Sequence, residues 1–297
     1  MKRIFSYREE TKAGTLFLVA TPIGNLQDMT FRAVEVLRQS AVIAAEDTRQ
    51  TRKLMSYFHI EGPRLISYHE YNKQRAAAEI LAMLEQGLAV SLVSDAGTPG
   101  ISDPGEDIVR AAVVRGYRVV PIPGACAGIA ALVASGLPTG QFSFVGFLPR
   151  VSKDRKRELE RWNRQRETLV FYEAPHRLRE TVNDLLDVLG DRQVTVAREL
   201  TKRYEEFARG TLSELAELLQ TEPAKGEYVL VVAGAGEAAA DGPDEVWWAN
   251  LTAAAHVERL VMQGMSKKEA VKQAAKDRGV PKRDVYNQVL AQEQENH

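Results

Sequence analysis

The most constraining stretch of the chain runs from Ala89 to Gly105. An apolar segment, Ala89 to Val93, stops at Ser94-Asp95 and enters a loop holding three glycines and two prolines between Gly97 and Gly105. The apolar segment reads as a buried strand. So dense a set of glycines and prolines is costly unless the backbone must follow an unusual path. Glycine permits positive φ and close approach, whereas proline fixes φ and removes a donor. A helical pattern follows from Ile108 to Arg115. In an α/β sheet, the loop beyond a strand's carboxyl end is where ligands sit. Asp95 then stands at a strand tip, able to accept hydrogen bonds from a hydroxyl or amino group. The same residues also suit a capped tight turn, and composition does not choose between the two.

The pattern recurs on both sides. Thr15 to Ala20 reads as a first strand, ending in Thr21-Pro22-Ile23-Gly24-Asn25-Leu26 before a helix from Thr30 to Gln39, with Thr30 as N-cap. This turn has no GxGxxG, and Pro22 removes an N–H that a phosphate cradle would use, so the ligand expected here lacks phosphates. Ala41 to Ala45 is a second strand, followed by Glu46-Asp-Thr-Arg49 and a helix capped by Thr48 or Thr51. Arg49, Arg52 and Lys53 fall near its start, where cations are electrostatically misplaced unless an anion faces them. A solvated helix face is the other reading. Leu65-Ile66 is a short strand before Ser67-Tyr-His-Glu70, and Lys73 to Gln86 an amphipathic helix. His69 and Glu70 do not read as metal ligands, because neighbours on a strand point to opposite faces. Arg118 to Ile122 is the next strand. It leads into Pro123-Gly-Ala-Cys-Ala127 and a small-residue helix, Ile129 to Ser135, which fits either a ligand lying on the backbone or tight helix–sheet packing.

Residues 14 to 135 thus alternate strand and helix, as expected for a mostly parallel sheet. A parallel sheet brings the Pro22 turn, the Asp95 loop and the Pro123 turn to one edge. A boundary is expected at Gly136 to Gly140. Four more strands follow: Phe142 to Leu148, Thr168 to Tyr172, Val194 to Ala197 and Tyr228 to Ala233. Arg150 to Arg166 carries eight Lys/Arg against three acidic residues, with Trp162 among them. That run suits a solvated helix or phosphate contacts beside base stacking. Phe171-Tyr-Glu-Ala-Pro-His-Arg177 and Arg198-Glu-Leu-Thr-Lys-Arg203 place charged groups just past strand ends. Salt-bridged surface turns are the bland alternative.

A lead-in spans 1–13, the first α/β domain 14–136, the second 137–234, a Gly/Ala/Asp-rich linker 235–245 and a small helical module 246–297. Helices are expected from Val246 to Leu260, Ser266 to Arg278 and Arg283 to Gln292, with Ser266-Lys-Lys-Glu269 in capping-box form. Seven Lys/Arg against two acidic residues lie between Gly264 and Arg283. The module suits a helix-turn-helix-like RNA contact or a packing pair. The lone cysteine, Cys126, excludes an internal disulfide and a cysteine-cluster metal site, and reads as a buried small residue. No apolar run reaches the ~18 residues of a membrane span. No secretory signal is evident, and a cytoplasmic protein is expected. With a net charge of −1, nucleic acid would have to be held by local patches.

These motifs together resemble the tetrapyrrole-methylase-like class of S-adenosylmethionine-dependent methyltransferases. Within it, the chain resembles the branch that methylates the ribose 2′-hydroxyl of a cytidine in the decoding region of bacterial 16S ribosomal RNA. The resemblance spans residues 14 to 292. It rests on Ala20 to Leu26, Glu46 to Arg49 with Thr51 to Leu54, Ser67 to Glu70, Ser94 to Gly105, Phe171 to Arg177 and Arg198 to Thr201. Enzymes acting on tetrapyrroles share the layout but lack the Glu46-to-Arg49 and Tyr172-to-His176 signatures. The resemblance implies two α/β domains with S-adenosylmethionine between them, in a homodimer. It implies cofactor contacts at Pro22, Ile23, Gly24, Asp95, Gly97, Thr98, Cys126, Ala127, Tyr172 and Glu227. Where the class has Pro-Gly-x-Ser-Ser, this chain has Pro123-Gly-Ala-Cys-Ala127, so only backbone contacts are expected there. Glu173, His176 and Glu199 are candidate bases, and Arg177, Arg198 and Lys202 candidate phosphate holders or alkoxide stabilisers. Arg49, Arg52, Arg150, Arg155 and Arg177 are candidate RNA contacts. The partner implied is 16S rRNA within the small ribosomal subunit, with no DNA, membrane or metal. A small-molecule methylase and a non-enzymatic RNA-binding protein are the competing readings.

Overall fold

The computed structural model describes residues 13–236, 248, 251–262 and 264–295. The expected lead-in 1–13, apart from Ala13, lies outside them. So do most of the linker 235–245 and the expected helix start at Val246.

The first sheet is wholly parallel. Its strands are β1 (Thr15–Val19), β2 (Val42–Ala45), β3 (Arg64–Ser67), β4 (Val90–Val93) and β5 (Arg118–Ile122), in the order β3-β2-β4-β1-β5. Every residue of β2 and β4 is buried, as expected of mostly apolar strands covered by helices on both faces, and the buried Ser91 hydroxyl is paired with that of Ser40 at 2.7 Å. The covering helices are α1 (Phe31–Gln39), α2 (Thr48–Tyr57), α3 (Lys73–Glu85), α4 (Glu106–Val114) and α5 (Ala127–Ser135). Thr30 caps α1 as expected, its hydroxyl accepting from the Ala33 N–H at 3.1 Å. The cap of α2 is neither Thr48 nor Thr51 but Asp47, which accepts from the Arg49 N–H at 2.8 Å. An ionised carboxylate suits the positive helix end better than a hydroxyl.

Because β1 lies between β4 and β5, the three turns that leave their carboxyl ends meet at one edge, as the alternation predicts. Thr21 and Gly97 exchange backbone hydrogen bonds of 2.8 and 3.0 Å. The Thr98 hydroxyl donates to the Ala125 carbonyl at 3.0 Å. Gly97 has φ +82°, which a side chain would disfavour.

The second sheet is mixed. It comprises β6 (Phe142–Phe147), β7 (Thr168–Glu173), β8 (Gln193–Arg198), β9 (Glu206–Thr211) and β10 (Tyr228–Val232), ordered β6-β7-β10-β8-β9. Only β6 and β7 run parallel. Helices α6 (Ser152–Glu160), α7 (Leu178–Leu189) and α8 (Leu212–Thr221) complete this part, and both sheets belong to one compact unit. The fold is thus two tandem α/β sheets of the expected type. The edge strand β9 escaped the sequence reading: Glu-Phe-Ala-Arg-Gly-Thr is too polar to announce a strand, and pairing with β8 holds it.

A separate unit holds α9 (Ala253–Met262), α10 (Lys267–Arg278) and α11 (Lys282–Glu295). Its core is built largely of small residues: Ala253, Ala254, Ala270, Ala274 and Ala275 pack with Val257, Leu260, Val271, Val285 and Val289. The expected capping box forms at Ser266 and Glu269, and Gly279 ends α10 at φ +62°. Among the described residues no helix is long and apolar enough to cross a membrane.

Candidate functional site

A cavity of about 340 Å³ lies between the two sheets, lined from the first by Ile23, Gly97, Thr98, Asp103, Cys126 and Ala127. From the second come Phe147, Tyr172, Glu173, Leu200, Glu227 and Val229. That volume falls within the range of small-ligand sites. The three turns named from sequence therefore share one concavity.

The residues expected to hold a cofactor divide on inspection. Ile23, Gly97, Thr98, Cys126, Ala127, Tyr172 and Glu227 face the cavity; Pro22, Gly24 and Asp95 are absent from its lining. Asp95 instead accepts from the Asp47 N–H at 2.8 Å, tying the loop after β4 to the loop after β2. Gly24 serves the junction of the sheets. A Cβ there would lie 2.5 Å from Lys202 Cγ and 2.7 Å from Thr201 Oγ1. The Asn25 N–H beside it donates to Thr201 Oγ1 at 3.0 Å. The glycine is required by close approach of the Arg198–Lys202 loop.

That loop is strained. Glu199 and Thr201 have φ +51° and +64°, a region side chains avoid. Glu199 Oε1 accepts from Lys202 Nζ and from the Glu227 N–H, both at 3.0 Å, which holds the loop in place. The hydrogen bond from Lys202 keeps the Glu199 carboxyl below its ordinary pKa, which makes it a weaker base. Burial disfavours the Lys202 charge, but hydrogen bonds to Glu227 and Glu199 outweigh it and raise its pKa. Arg198 donates to the Lys225 carbonyl at 2.8 Å and pairs with Glu206 at 2.9 Å.

Glu173 touches the cavity, and its carboxylate is hydrogen-bonded at both oxygens. Oε1 accepts from the Ala174 N–H at 2.8 Å and Oε2 from the Thr181 hydroxyl at 2.6 Å. Its side chain is fully buried beside Arg177. The carboxylate thereby fixes the turn after β7. Arg177 Nη2 donates to the Leu148 and Pro149 carbonyls at 2.8 and 3.1 Å, which ties the turn after β7 to the end of β6. His176 is exposed and lies outside the cavity lining.

Asp103 joins Glu173 and Glu227 in the cavity lining, an acid outside the expected set. Burial, with repulsion from Glu46 and Asp95, pushes its pKa up to about 6. Glu46 is raised too, by burial and by Asp95. Opposite them, Tyr172 Oη accepts from the Gly128 N–H at 2.9 Å, at the start of α5. Burial and Cys126 push the Tyr172 hydroxyl up to about 12. The signal for Asp103 was present: it lies within the same glycine–proline loop as Asp95, eight residues on. A chain cannot tell which of two acids in one loop turns inward.

Among the expected RNA contacts, Arg155 is overturned. It is 1% exposed, and its Nε donates to Asp184 at 2.6 Å, with Nη1 donating to the Pro149 and Arg150 carbonyls. Arg49, by contrast, is 83% exposed and pairs with the cap Asp47 at 2.9 Å. Arg52 and Arg150 are exposed. Among the described residues no group of three or more His, Cys, Asp or Glu could hold a metal ion.

A family model of the tetrapyrrole (corrin/porphyrin) methylases matches residues 15–216, and a model of the RsmI C-terminal HTH domain matches 249–293. The chain is 52% identical over 287 residues to ribosomal RNA small subunit methyltransferase I of Halalkalibacterium halodurans, covering 97% of this chain and 98% of that protein. It is 50% identical to the Bacillus subtilis enzyme of the same name over the same shares. The chain belongs to the ribosomal RNA small subunit methyltransferase I family. Solved structures show how the fold of this family is shared. Diphthine synthase superposes with a TM-score of 0.58 at 15% identity, covering 74% of this chain and 90% of that one. Uroporphyrin-III C-methyltransferase of Thermus thermophilus, complexed with S-adenosyl homocysteine, gives 0.52 at 19% identity over 73% and 97%.

Proposed function

We propose that the chain methylates the ribose 2′-hydroxyl of a cytidine in the decoding region of 16S ribosomal RNA, using S-adenosylmethionine, in the cytoplasm and as a homodimer. The observation that carries the reading is the single cavity shared by the three turns in a chain of this family. The small ribosomal subunit is the proposed substrate particle.

The cavity residues fit the cofactor by charge and by shape. Asp103 is a desolvated carboxylate pressed by Glu46 and Asp95, so a cationic ligand relieves both burdens. The apolar walls of Ile23, Ala127, Leu200 and Val229, with the open backbone at Gly97, suit a thioether chain and an aromatic ring. Bound there, S-adenosylmethionine supplies an electrophilic methyl group, so what remains for the protein is alignment and one proton. We assign Ile23, Gly97, Thr98, Asp103, Cys126, Ala127, Tyr172 and Glu227 to its binding. Phe147 lines the cavity, is 56% exposed, and lies edge-on to Tyr172 with ring centroids 5.7 Å apart. It offers a stacking surface for a base splayed out of folded RNA. Lys202, held between Glu199 and Glu227, stands at the neighbouring loop as a fixed positive charge for the phosphates or the developing alkoxide.

Methyl transfer from labelled S-adenosylmethionine to purified small subunits and to naked 16S rRNA tests this, with the labelled nucleoside identified. A 2′-O-methylcytidine product is expected. Tight cofactor binding with no label in either RNA would sink the reading and turn the search to small-molecule acceptors.

A further inference from the structure

The C-terminal unit carries positive charge that its own fold does not consume. Lys268, Lys272 and Lys276 recur every fourth residue along α10, so they form one exposed stripe. No carboxylate among the described residues pairs with any of them, and like charges at this spacing repel. Lys282 and Arg283 open α11, at the positive helix end, and are exposed and unpaired as well. The turn Gly279-Val280-Pro281 joins these two sets. Tyr286, one helical turn past Lys282, is 49% exposed.

The neighbouring acids are otherwise engaged or few. Glu269 closes the cap with Ser266, accepting from its hydroxyl at 2.6 Å. Asp277 accepts from Gln273 at 2.6 Å and lies 3.4 Å from His256. Asp284, at the start of α11, is exposed. The fold does neutralise a cation where it needs one. Arg278 turns inward, donating to the Trp248 and Leu251 carbonyls at 2.9 and 2.6 Å and lying 5.2 Å over the Trp248 ring. Cations left exposed and unpaired along these two helices, against one used inside, mark a surface with an anionic partner.

We infer that the exposed residues Lys268, Lys272, Lys276, Lys282, Arg283 and Tyr286 bind the phosphate backbone of folded RNA, a set that shares no residue with the methylation cavity. The inference rests on the RNA reading above for its choice of partner. Lysines are strongly hydrated point charges suited to phosphates rather than to base edges. The deep groove of an A-form helix is too narrow for side chains to read, so contacts to the backbone carry the binding. Tyr286 adds a ring on which an unpaired base can stack.

The test is a full-length chain carrying Lys268→Ala, Lys272→Ala and Lys276→Ala, with a second variant carrying Lys→Arg at the same positions. Binding to naked 16S rRNA is measured across a salt series, beside S-adenosylhomocysteine affinity and a thermal melt. The alanine variant is expected to bind RNA roughly tenfold more weakly, with the log–log salt slope shallower by about two to three. Its cofactor affinity and melting stay unchanged, and the arginine variant keeps RNA affinity. In methyl transfer, KM for RNA rises while kcat at saturating RNA holds. A folded alanine variant with unaltered RNA affinity and salt slope overturns the proposal, as does tighter binding of the parent chain to duplex DNA than to the rRNA. Failure of the methylation reading looks different: the parent chain then transfers no methyl to RNA yet still loses RNA binding when the stripe is removed.

Discussion

The chain has two strongly basic stretches, and the structure treats them oppositely. Residues 150–166 hold eight Lys/Arg against three acidic residues, and residues 264–283 hold seven against two. In the first, four of the eight cations are paired with carboxylates, and one of them is buried. Arg155 is buried on Asp184, Lys156 reaches Asp187 at 2.7 Å, and Arg157 and Arg161 pair with Asp154 and Glu158 on their own segment. In the second, Arg278 alone turns inward, while Lys268, Lys272, Lys276, Lys282 and Arg283 stay exposed. Charge count in sequence therefore does not measure charge available to a partner. What decides is whether a neighbouring element presents carboxylates. Helix α7 does so with Asp184 and Asp187; the neighbours of α10 present small apolar residues.

Breaking the buried pair should give the largest effect. Arg155→Ala removes the buried partner of Asp184, itself nearly buried, leaving it the Ser152 hydroxyl at 3.0 Å and Lys156 at 3.4 Å, and should cost about 3 kcal/mol, read by denaturant unfolding. RNA affinity per folded molecule should not change; a stable variant with weakened RNA binding would reverse the assignment of this segment.

The acids show the same contrast between satisfied and unsatisfied burial. Asp103, with its folded pKa raised from 3.8 to about 6, favours folding most below pH 3.8, and that contribution is lost as pH rises to about 6. Asp103→Asn should therefore melt above the parent chain at pH 7, with the difference shrinking as pH falls toward 4. The same variant should bind S-adenosylmethionine more weakly, by roughly tenfold at pH 7.5 and less at pH 5.5, where the parent carboxyl is largely protonated. Isothermal titration at both pH values checks the sign, and an equal loss at both would remove Asp103 as a counter-charge.

Smaller effects separate the surfaces. Lys156→Ala removes the exposed pair with Asp187 and a longer contact to Asp184, and should lower the melting temperature far less than Arg155→Ala, by an amount that shrinks at high salt. Lys272→Ala should leave stability level or slightly raised, because two like-charge neighbours are relieved, while the RNA salt slope falls by about one. A melting loss larger for Lys272→Ala than for Lys156→Ala would contradict the division between the two stretches.

Much of this was legible in the chain. Short, mostly apolar runs mark the strands of the parallel sheet, because its central strands are buried on both faces. Thr30, the Ser266–Glu269 box and Gly279 marked helix ends, because caps are satisfied by residues within a few positions. The meeting of the Pro22, Asp95 and Pro123 turns followed from parallel strands alone. The polar edge strand β9 was not legible, since pairing with β8 rather than burial holds it.

Tertiary structure decided the rest, for reasons of long-range geometry. Gly24 read as a ligand turn, yet its lack of a side chain serves Lys202 and Thr201, about 180 residues away. Glu173, Arg155 and Arg177 read as available charges, yet each is enclosed by groups that no local pattern names. Asp95 and Asp103 lie in one loop, and only the packed structure turned the second toward the cavity. Sequence determines which residues can fold locally and where strands end. Which charges remain free to act depends on what the other elements bring beside them.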